Sequence, residues 1–329
     1  MRSSERCALV AIIALPAIAA PASAQTAPPA AQGFALERLR PSAPGAGWLV
    51  MDDLDVHGNL GGAMDVTFGY AKDPLRIASG APAPLAVVSD QAFADFGFAA
   101  TYDRWRVSLD LRLPLVAQGE SGTAGGYAFS APSVDPGSNP DRLSDARVGV
   151  DGRLFGDPGS PLRLGASAQL FVPSNTRCGD QSLRCEYDTD GTPRAALRVL
   201  AAGDVGWLTY AGHLGVHVRP LDDAPVPGSP RGSELLFGAA AGARLWLGES
   251  SRATVVIGPE LFGETALSSM FGGDTTGVEG LMTGRIETSP MTGPHLRFKV
   301  GGGAGLHADF GAPEWRVVAG IEVLGHAPR

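Results

Sequence analysis

The stretch WRVSLDLRLPL, Trp105–Leu115, decides the fold. Trp105, Val107, Leu109, Leu111, Leu113 and Leu115 are apolar, and Arg106, Ser108, Asp110 and Arg112 stand between them. Successive side chains of a strand point to opposite faces, so this ribbon has one oily face and one charged face. In a soluble sheet the oily face packs inward. In a transmembrane barrel it meets lipid, and the charges line a lumen. One strand is compatible with both; the rest of the chain chooses.

Residues 1–24 read as a secretory signal. Arg2 and Arg6 precede the apolar run Ala8–Ala20, and Ala22-Ser23-Ala24 fits the small-residue cleavage pattern. Cys7 would leave with it. No later segment approaches the roughly 18 continuous apolar residues of a membrane helix. A mature chain that spans a membrane must therefore do so as a closed barrel, where every backbone polar group finds a partner. The 329 residues include 45 glycines, carry 18% charged residues and have a net charge of −8, which excludes nucleic acid as a partner. Cys178 and Cys185 remain in the mature chain, and an exported protein is expected to close them into a small disulfide loop.

The alternation of Trp105–Leu115 recurs in about twelve segments. These are Leu60–Ala71, Ala92–Tyr102, Trp105–Leu115, Asp145–Phe155, Leu162–Val172, Arg194–Val205, Tyr210–Arg219, Glu234–Leu245, Ala253–Phe262, Val278–Glu287, Leu296–His307 and Trp315–Leu324. Connections after the first, third, fifth, seventh and ninth are long, and those after the second, fourth, sixth, eighth and tenth are short. The last, Phe310–Glu314, is short although it falls on the long side. Outer-membrane barrels combine long external loops with short periplasmic turns. The expected fold is an all-β transmembrane antiparallel up-and-down barrel of about twelve strands, spanning residues 58–329. Residues 25–57 are expected as a periplasmic linker and N-terminal segment whose Phe34–His57 part packs at the barrel mouth. The expected location is the outer membrane of a Gram-negative cell, with both termini in the periplasm. Expected partners are outer-membrane lipid and lipopolysaccharide, the barrel-assembly machinery and small solutes.

The inward phase supplies the candidate site. Its lumen-lining residues are Arg106, Asp110 and Arg112; Asp145, Arg147, Asp151 and Arg153; Arg198 and Arg244; Arg297 and Lys299; and Arg316 and Glu322. Counted over all twelve segments, with Arg104 included, the inward phase carries fourteen cations and eleven anions. That slight excess implies a weak anion preference if the lumen conducts. Eight strands leave room only for side chains and sixteen leave an aqueous channel. Arginine is long and pairs bidentately with carboxylate, so a narrow or occluded lumen is expected. The leading function is a narrow pore or transporter for small solutes. The alternatives are a non-conducting structural protein, a membrane-embedded lipid hydrolase and an external adhesin.

Three further features read first as structure. The acidic loop Cys178–Gly191, with Asp180, Glu186, Asp188 and Asp190, lacks the spacing of a calcium-binding EF-hand and reads as a solvated external loop, with cation binding by its carboxylates as the alternative. His213 and His217 share a strand face about 13 Å apart, at ~3.3 Å per residue, too far to share one metal ion. The run Gly301–Gly305 has no strand–helix unit around it and reads as small residues in a curved strand. There is no G-x-S-x-G elbow and no H-E-x-x-H helix. No cofactor, metal or catalytic residue is expected.

From about Phe34 to Val323 the chain resembles the barrel part of OmpA-family proteins and related outer-membrane transporters. The resembling pieces are FALERLRPSAPGAGWLVMDDLDVHG (Phe34–Gly58), RVGVDGRLFG (Arg147–Gly156), RVLAAGDVGWLTYAGHLGVHVRP (Arg198–Pro220), GSELLFGAAAGAR (Gly232–Arg244) and IGPELFG (Ile257–Gly263). The resemblance implies location and fold rather than an activity. Many relatives carry a carboxy-terminal peptidoglycan-binding domain; the expectation here is a barrel without one.

Overall fold

The computed structural model describes residues 28–31, 33–56, 58–78, 83–134, 143–174, 187–221, 232–247, 253–288, 294–307 and 311–326. The expected signal segment and the Cys178–Cys185 pair lie outside the described residues.

The strands are β1 (Gly61–Ile77), β2 (Leu85–Tyr102), β3 (Trp105–Gln118), β4 (Gly122–Ala124), β5 (Tyr127–Phe129), β6 (Ala146–Phe155), β7 (Arg163–Val172), β8 (Arg194–Val205), β9 (Leu208–Val218), β10 (Glu234–Trp246), β11 (Ala253–Ala266), β12 (Thr276–Thr288), β13 (His295–His307) and β14 (Trp315–His326). All but β4 and β5 form one closed antiparallel barrel, in which β1 pairs with both β2 and β14. The small β4–β5 hairpin sits in the connection from β3 to β6. The fold is therefore a closed twelve-stranded barrel, and each expected segment corresponds to one of its strands. The described residues contain no α-helix.

Alternation explains the wall. Along β3, Arg106, Ser108 and Asp110 are buried while Trp105, Val107 and Leu109 are exposed. The same outward phase exposes Val148, Val150, Leu197, Val199, Leu214, Phe298, Val300, Val317 and Ile321. Tyr102, Trp105, Phe155, Trp207 and Trp246 ring the short-turn end of this apolar band. At the long-loop end Tyr70 packs on Trp315, with ring centroids 5.2 Å apart, and Phe237 on Phe271 at 6.3 Å. An apolar belt between aromatic girdles is the surface that lipid and its headgroups wet. An arginine on this face, Leu109→Arg, is expected to destabilise the inserted barrel by about 2–4 kcal/mol near the bilayer midplane. Denaturant titration in lipid vesicles measures the loss, and an unchanged midpoint would place this face in water.

Register places opposite charges directly across from one another on the inner face. Asp95 is opposite Arg112, Arg106 opposite Asp151, Asp110 opposite Arg147, and Arg297 opposite Glu322. A slip of one residue would turn every one of these charges toward lipid. Pro114, which cannot donate to the ladder, sits at a register irregularity between β2 and β3.

The first three strands run past the expected segments. The stretch expected as the first long loop is largely strand, so that β1 and β2 are joined by residues 78–84 alone. Leu75, Val87 and Val88 from these extensions cluster with Phe129 of the hairpin, Tyr187, and Phe34 and Leu36. The cluster roofs the long-loop end, and its members from residues 31–36 begin the site.

Candidate functional site

The lumen is occupied by the chain's own N-terminal segment. At the long-loop end, Ala30 forms a parallel bridge with Ala128 of β5, and the Ala31 N–H donates to the Ala128 carbonyl at 2.7 Å. Leu36 N–H donates to the Tyr187 carbonyl at 3.0 Å, and Ala35 N–H to Asp190 at 2.7 Å. From there the segment descends through the barrel, and at the short-turn end Gly58 accepts from the Asp103 N–H at 2.9 Å before β1 starts. Within the segment 25–57, expected as a linker whose Phe34–His57 part packs at the barrel mouth, residues 33–56 lie inside the barrel. Among the described residues, 28–31 lie at the long-loop end of the barrel and the end of β14 at the short-turn end. The physical reason is a close match between segment and wall.

In the half nearer the long loops, Arg38 reaches Glu264 at 2.7 Å and Glu234 at 3.1 Å, and Arg40 reaches Glu264 at 2.5 Å. Halfway down, Ser42–Asp53 folds into a compact loop. The Ser42 hydroxyl donates to the Trp48 carbonyl at 2.6 Å and the Asp53 N–H to the Ala46 carbonyl at 2.8 Å, and Gly45 and Gly47 take positive φ angles that a side chain would strain. Glu260, fully buried, accepts the N–H groups of Leu49, Val50 and Met51 at 2.9, 2.9 and 3.0 Å. Lower down, Asp52 pairs with Arg106, which also holds Asp151 at 2.9 Å, and Asp53 pairs with Arg285 at 3.3 Å. Leu39, Trp48, Leu49, Met51 and Leu54 complete an apolar core with Phe93, Leu200, Val256, Phe262, Leu281 and Val318 of the wall.

Every candidate lumen residue lies on the inward side. Arg106 is described above. Asp110 pairs with Arg147 at 2.9 Å, and Arg147 also donates to the Pro41 carbonyl at 2.6 Å. Arg112 pairs with Asp95 at 3.0 Å and donates to the Leu39 carbonyl at 3.0 Å. Asp145 takes Arg194 at 2.8 Å, while Arg153 donates to the Val56 carbonyl at 2.9 Å. Arg198 donates to Ser167 at 3.0 Å, and Arg244 pairs with Asp204 at 2.7 Å. Glu322 takes both Arg297 at 2.7 Å and Lys299 at 2.6 Å. Arg316 joins Glu279 at 2.9 Å and Glu37 of the segment at 3.0 Å.

Arg104 departs from the inward reading: it stands in the exposed Asp103–Arg104 turn, paired with Asp103 at 3.2 Å. Without it the inward cations of the described wall number thirteen. Asp190 and Glu264, not counted from sequence, raise the anions from eleven to thirteen. Among the described wall residues the balance is even, and the segment adds Arg38 and Arg40 against Glu37, Asp52 and Asp53, which removes the basis for an anion preference.

The wall glycines are the feature that sequence reasoning missed. A Cβ on Gly238 would stand 2.5 Å from Met51 Cε, one on Gly242 2.8 Å from the Trp48 ring, and one on Gly301 2.5 Å from Leu49 Cδ1. Gly301, read from sequence as a matter of strand curvature, faces Leu49 of the segment. Inward-phase glycines were the legible signal that something other than wall side chains fills the lumen.

His217, Glu234 and Glu264 gather three potential metal ligands, a grouping that the His213–His217 spacing did not suggest. Arg38, Arg40 and Arg219 already engage the two carboxylates, so the charge that a cation would supply is present. Asp190 is similarly locked, with Arg219 at 2.6 Å. Burial alone would raise its pKa, and Arg219 and Arg194 outweigh that and hold it well below the usual carboxylate range. A carboxyl with a lowered folded-state pKa contributes stability that is fully present above its unfolded pKa, about 3.9, and is lost as pH falls toward the folded value. Asp190→Asn is expected to cost about 1–3 kcal/mol at pH 7, with the same difference at pH 5. Unfolding midpoints of both proteins at the two pH values check this, and a gap that closes by pH 5 would contradict it.

Two cavities approach the folded loop from both ends. One of about 60 Å³ lies under the roof among Gln91, Asp95, Arg112 and Arg147. The other, of about 170 Å³, opens at the short-turn end beside Asp55, Thr101, Arg106 and Arg297. Residues 42–53 form the septum between them.

Fold and site together define a β-barrel closed from within by its own chain. No family model matches the chain, and no curated protein does. Among solved structures it is similar to an outer membrane channel from Pseudomonas putida, at 12% identity over 83% of this chain and 98% of that one, with a TM-score of 0.49. It is also similar to a bacterial polysaccharide outer membrane secretin, at 8% identity over 83% and 100% of the two chains and a TM-score of 0.36. A loop-deletion mutant of OmpT, an outer membrane protein of Vibrio cholerae, aligns at 12% identity over 81% and 98%, with a TM-score of 0.32. Likeness at this level concerns barrel architecture, not residues.

Proposed function

We propose that this chain is a Gram-negative outer-membrane barrel that conducts nothing at rest and serves as a structural protein presenting its long connections at the cell surface. The observation that carries this reading is the continuous filling of the lumen by residues 33–56. The aromatic-bordered apolar band supports a membrane location, where lipid and lipopolysaccharide would cover it after insertion by the barrel-assembly machinery. Kinship with OmpA-family barrels rests on the segments quoted from the sequence. Purified protein in planar bilayers is expected to show no conductance steps, and regular ohmic steps from the intact chain would overturn the reading.

A second reading, gated passage of small solutes, is favoured by the two cavities that leave Ser42–Asp53 as the septum. On that reading the septum moves and the wall stays.

Sorted loop lengths support an orientation with the short turns in the periplasm. Residues 28–31 then lie at the outer face and the end of β14 at the inner face. An epitope inserted between Gln25 and Pro28 is expected to bind antibody on intact cells, and one placed after His326 only on permeabilised cells. The reverse pattern would invert the orientation.

A further inference from the structure

The contacts around residues 33–56 are of a kind that needs no covalent tie. Arg112, Arg147, Lys299, Arg163 and Arg153 of the wall donate to the main-chain carbonyls of Leu39, Pro41, Trp48, Asp53 and Val56. Glu260 accepts three main-chain N–H groups in return. These groups read a backbone, whatever its side chains. Two charged tiers then read sequence. Arg38 and Arg40 enter the glutamates of β10 and β11, and Asp52, fourteen residues beyond Arg38, enters with Asp53 among Arg106 and Arg285. Wall glycines leave room between the tiers for Trp48, Leu49 and Met51. By contrast, the tie to β1 is the exposed link 58–60.

We propose that the lumen is a peptide-binding site in its own right. Its ligand class is a polypeptide segment with an arginine pair followed about fourteen residues later by an aspartate pair, and residues 33–56 are the copy supplied in cis. The proposal rests on the closed-lumen reading and deepens it: closure is a binding equilibrium, and connectivity only raises the local concentration of the ligand.

The test replaces 58–60 with a protease site in the full chain and cuts it after folding in detergent. The cut protein is then denatured and refolded with excess dye-labelled synthetic peptide of residues 33–56. Refolded barrel is expected to retain labelled peptide on gel filtration. A scrambled peptide should be retained at least about tenfold less, and so should one carrying Asp52→Asn and Asp53→Asn, because each loses charge-assisted contacts. Uncut protein should take up little label, since its own segment competes from a high effective concentration. Three outcomes would overturn the proposal: a cut barrel that refolds without label, equal retention of the scrambled peptide, or failure of the cut mixture to refold where uncut protein does. Bilayer recordings of the intact chain judge the closed-lumen reading separately. Closed intact protein with no peptide retention sinks this proposal alone.

Discussion

Replacing Glu260 with alanine is expected to cost about 3 kcal/mol of stability or more and to let current through the barrel. Its carboxylate lies 2.9–3.0 Å from three N–H groups at the turn of the septum, Leu49 to Met51, and it is fully buried. Removing it leaves three buried donors without their acceptor, and each buried unmet donor costs about 1–3 kcal/mol. The loss falls on the one stretch of residues 33–56 that separates the two cavities, so the septum should open before the barrel unfolds. Glu260→Gln keeps one carbonyl acceptor and should show an intermediate loss. Denaturant unfolding in detergent gives the energies. Bilayer recordings should show conductance events in Glu260→Ala that wild type lacks. A variant as stable and as silent as wild type would mean that Glu260 is not what holds the turn.

The contrast between wall and filling shows what a sequence displays and what it hides. Each strand announces itself locally: Arg106, Asp110 and Arg112 alternate with Trp105, Leu109 and Leu111 within a few residues, and lipid on one side enforces the period. The extensions of β1 and β2 broke that rule because they rise above the lipid band. Lys72 to Ile77, KDPLRI, has no lipid-facing phase to keep, and its Leu75 is buried against the roof instead. Residues 33–56 have no period at all. Their partners are remote, with Arg38 and Glu264 226 residues apart and Arg285 and Asp53 232 apart. Only complementary patterns could have linked them: two arginines and the adjacent Asp52 and Asp53 in a Pro/Gly-rich segment, facing a wall that carries unexplained inward glycines. Position fixed which charges face inward. It could not say that Arg112, Arg147 and Arg153 divide their bonds between the wall and a backbone running through the middle.

Arg106 is the residue on which strand pattern and filling meet. Arg106→Ala is expected to cost about 3–5 kcal/mol, because breaking a buried ion pair from one side strands the other. Here two carboxylates are stranded: Asp151, its cross-strand partner on β6, and Asp52 of the inner segment. Arg106→Lys should recover little, since a single ammonium cannot reproduce the planar fork that serves both acids at once. The double variant Arg106→Ala with Asp52→Asn separates the two roles. If Arg106 chiefly seats the segment, removing the Asp52 charge should restore a large share of the lost stability, with a coupling of about 1–3 kcal/mol between the two positions. If Arg106 only braces β3 against β6, the two losses should add, and Asp52→Asn alone should be nearly neutral. The closed lumen requires the first result, because Asp52 has crossed half the barrel to reach that guanidinium and has no other cation paired with it among the described residues.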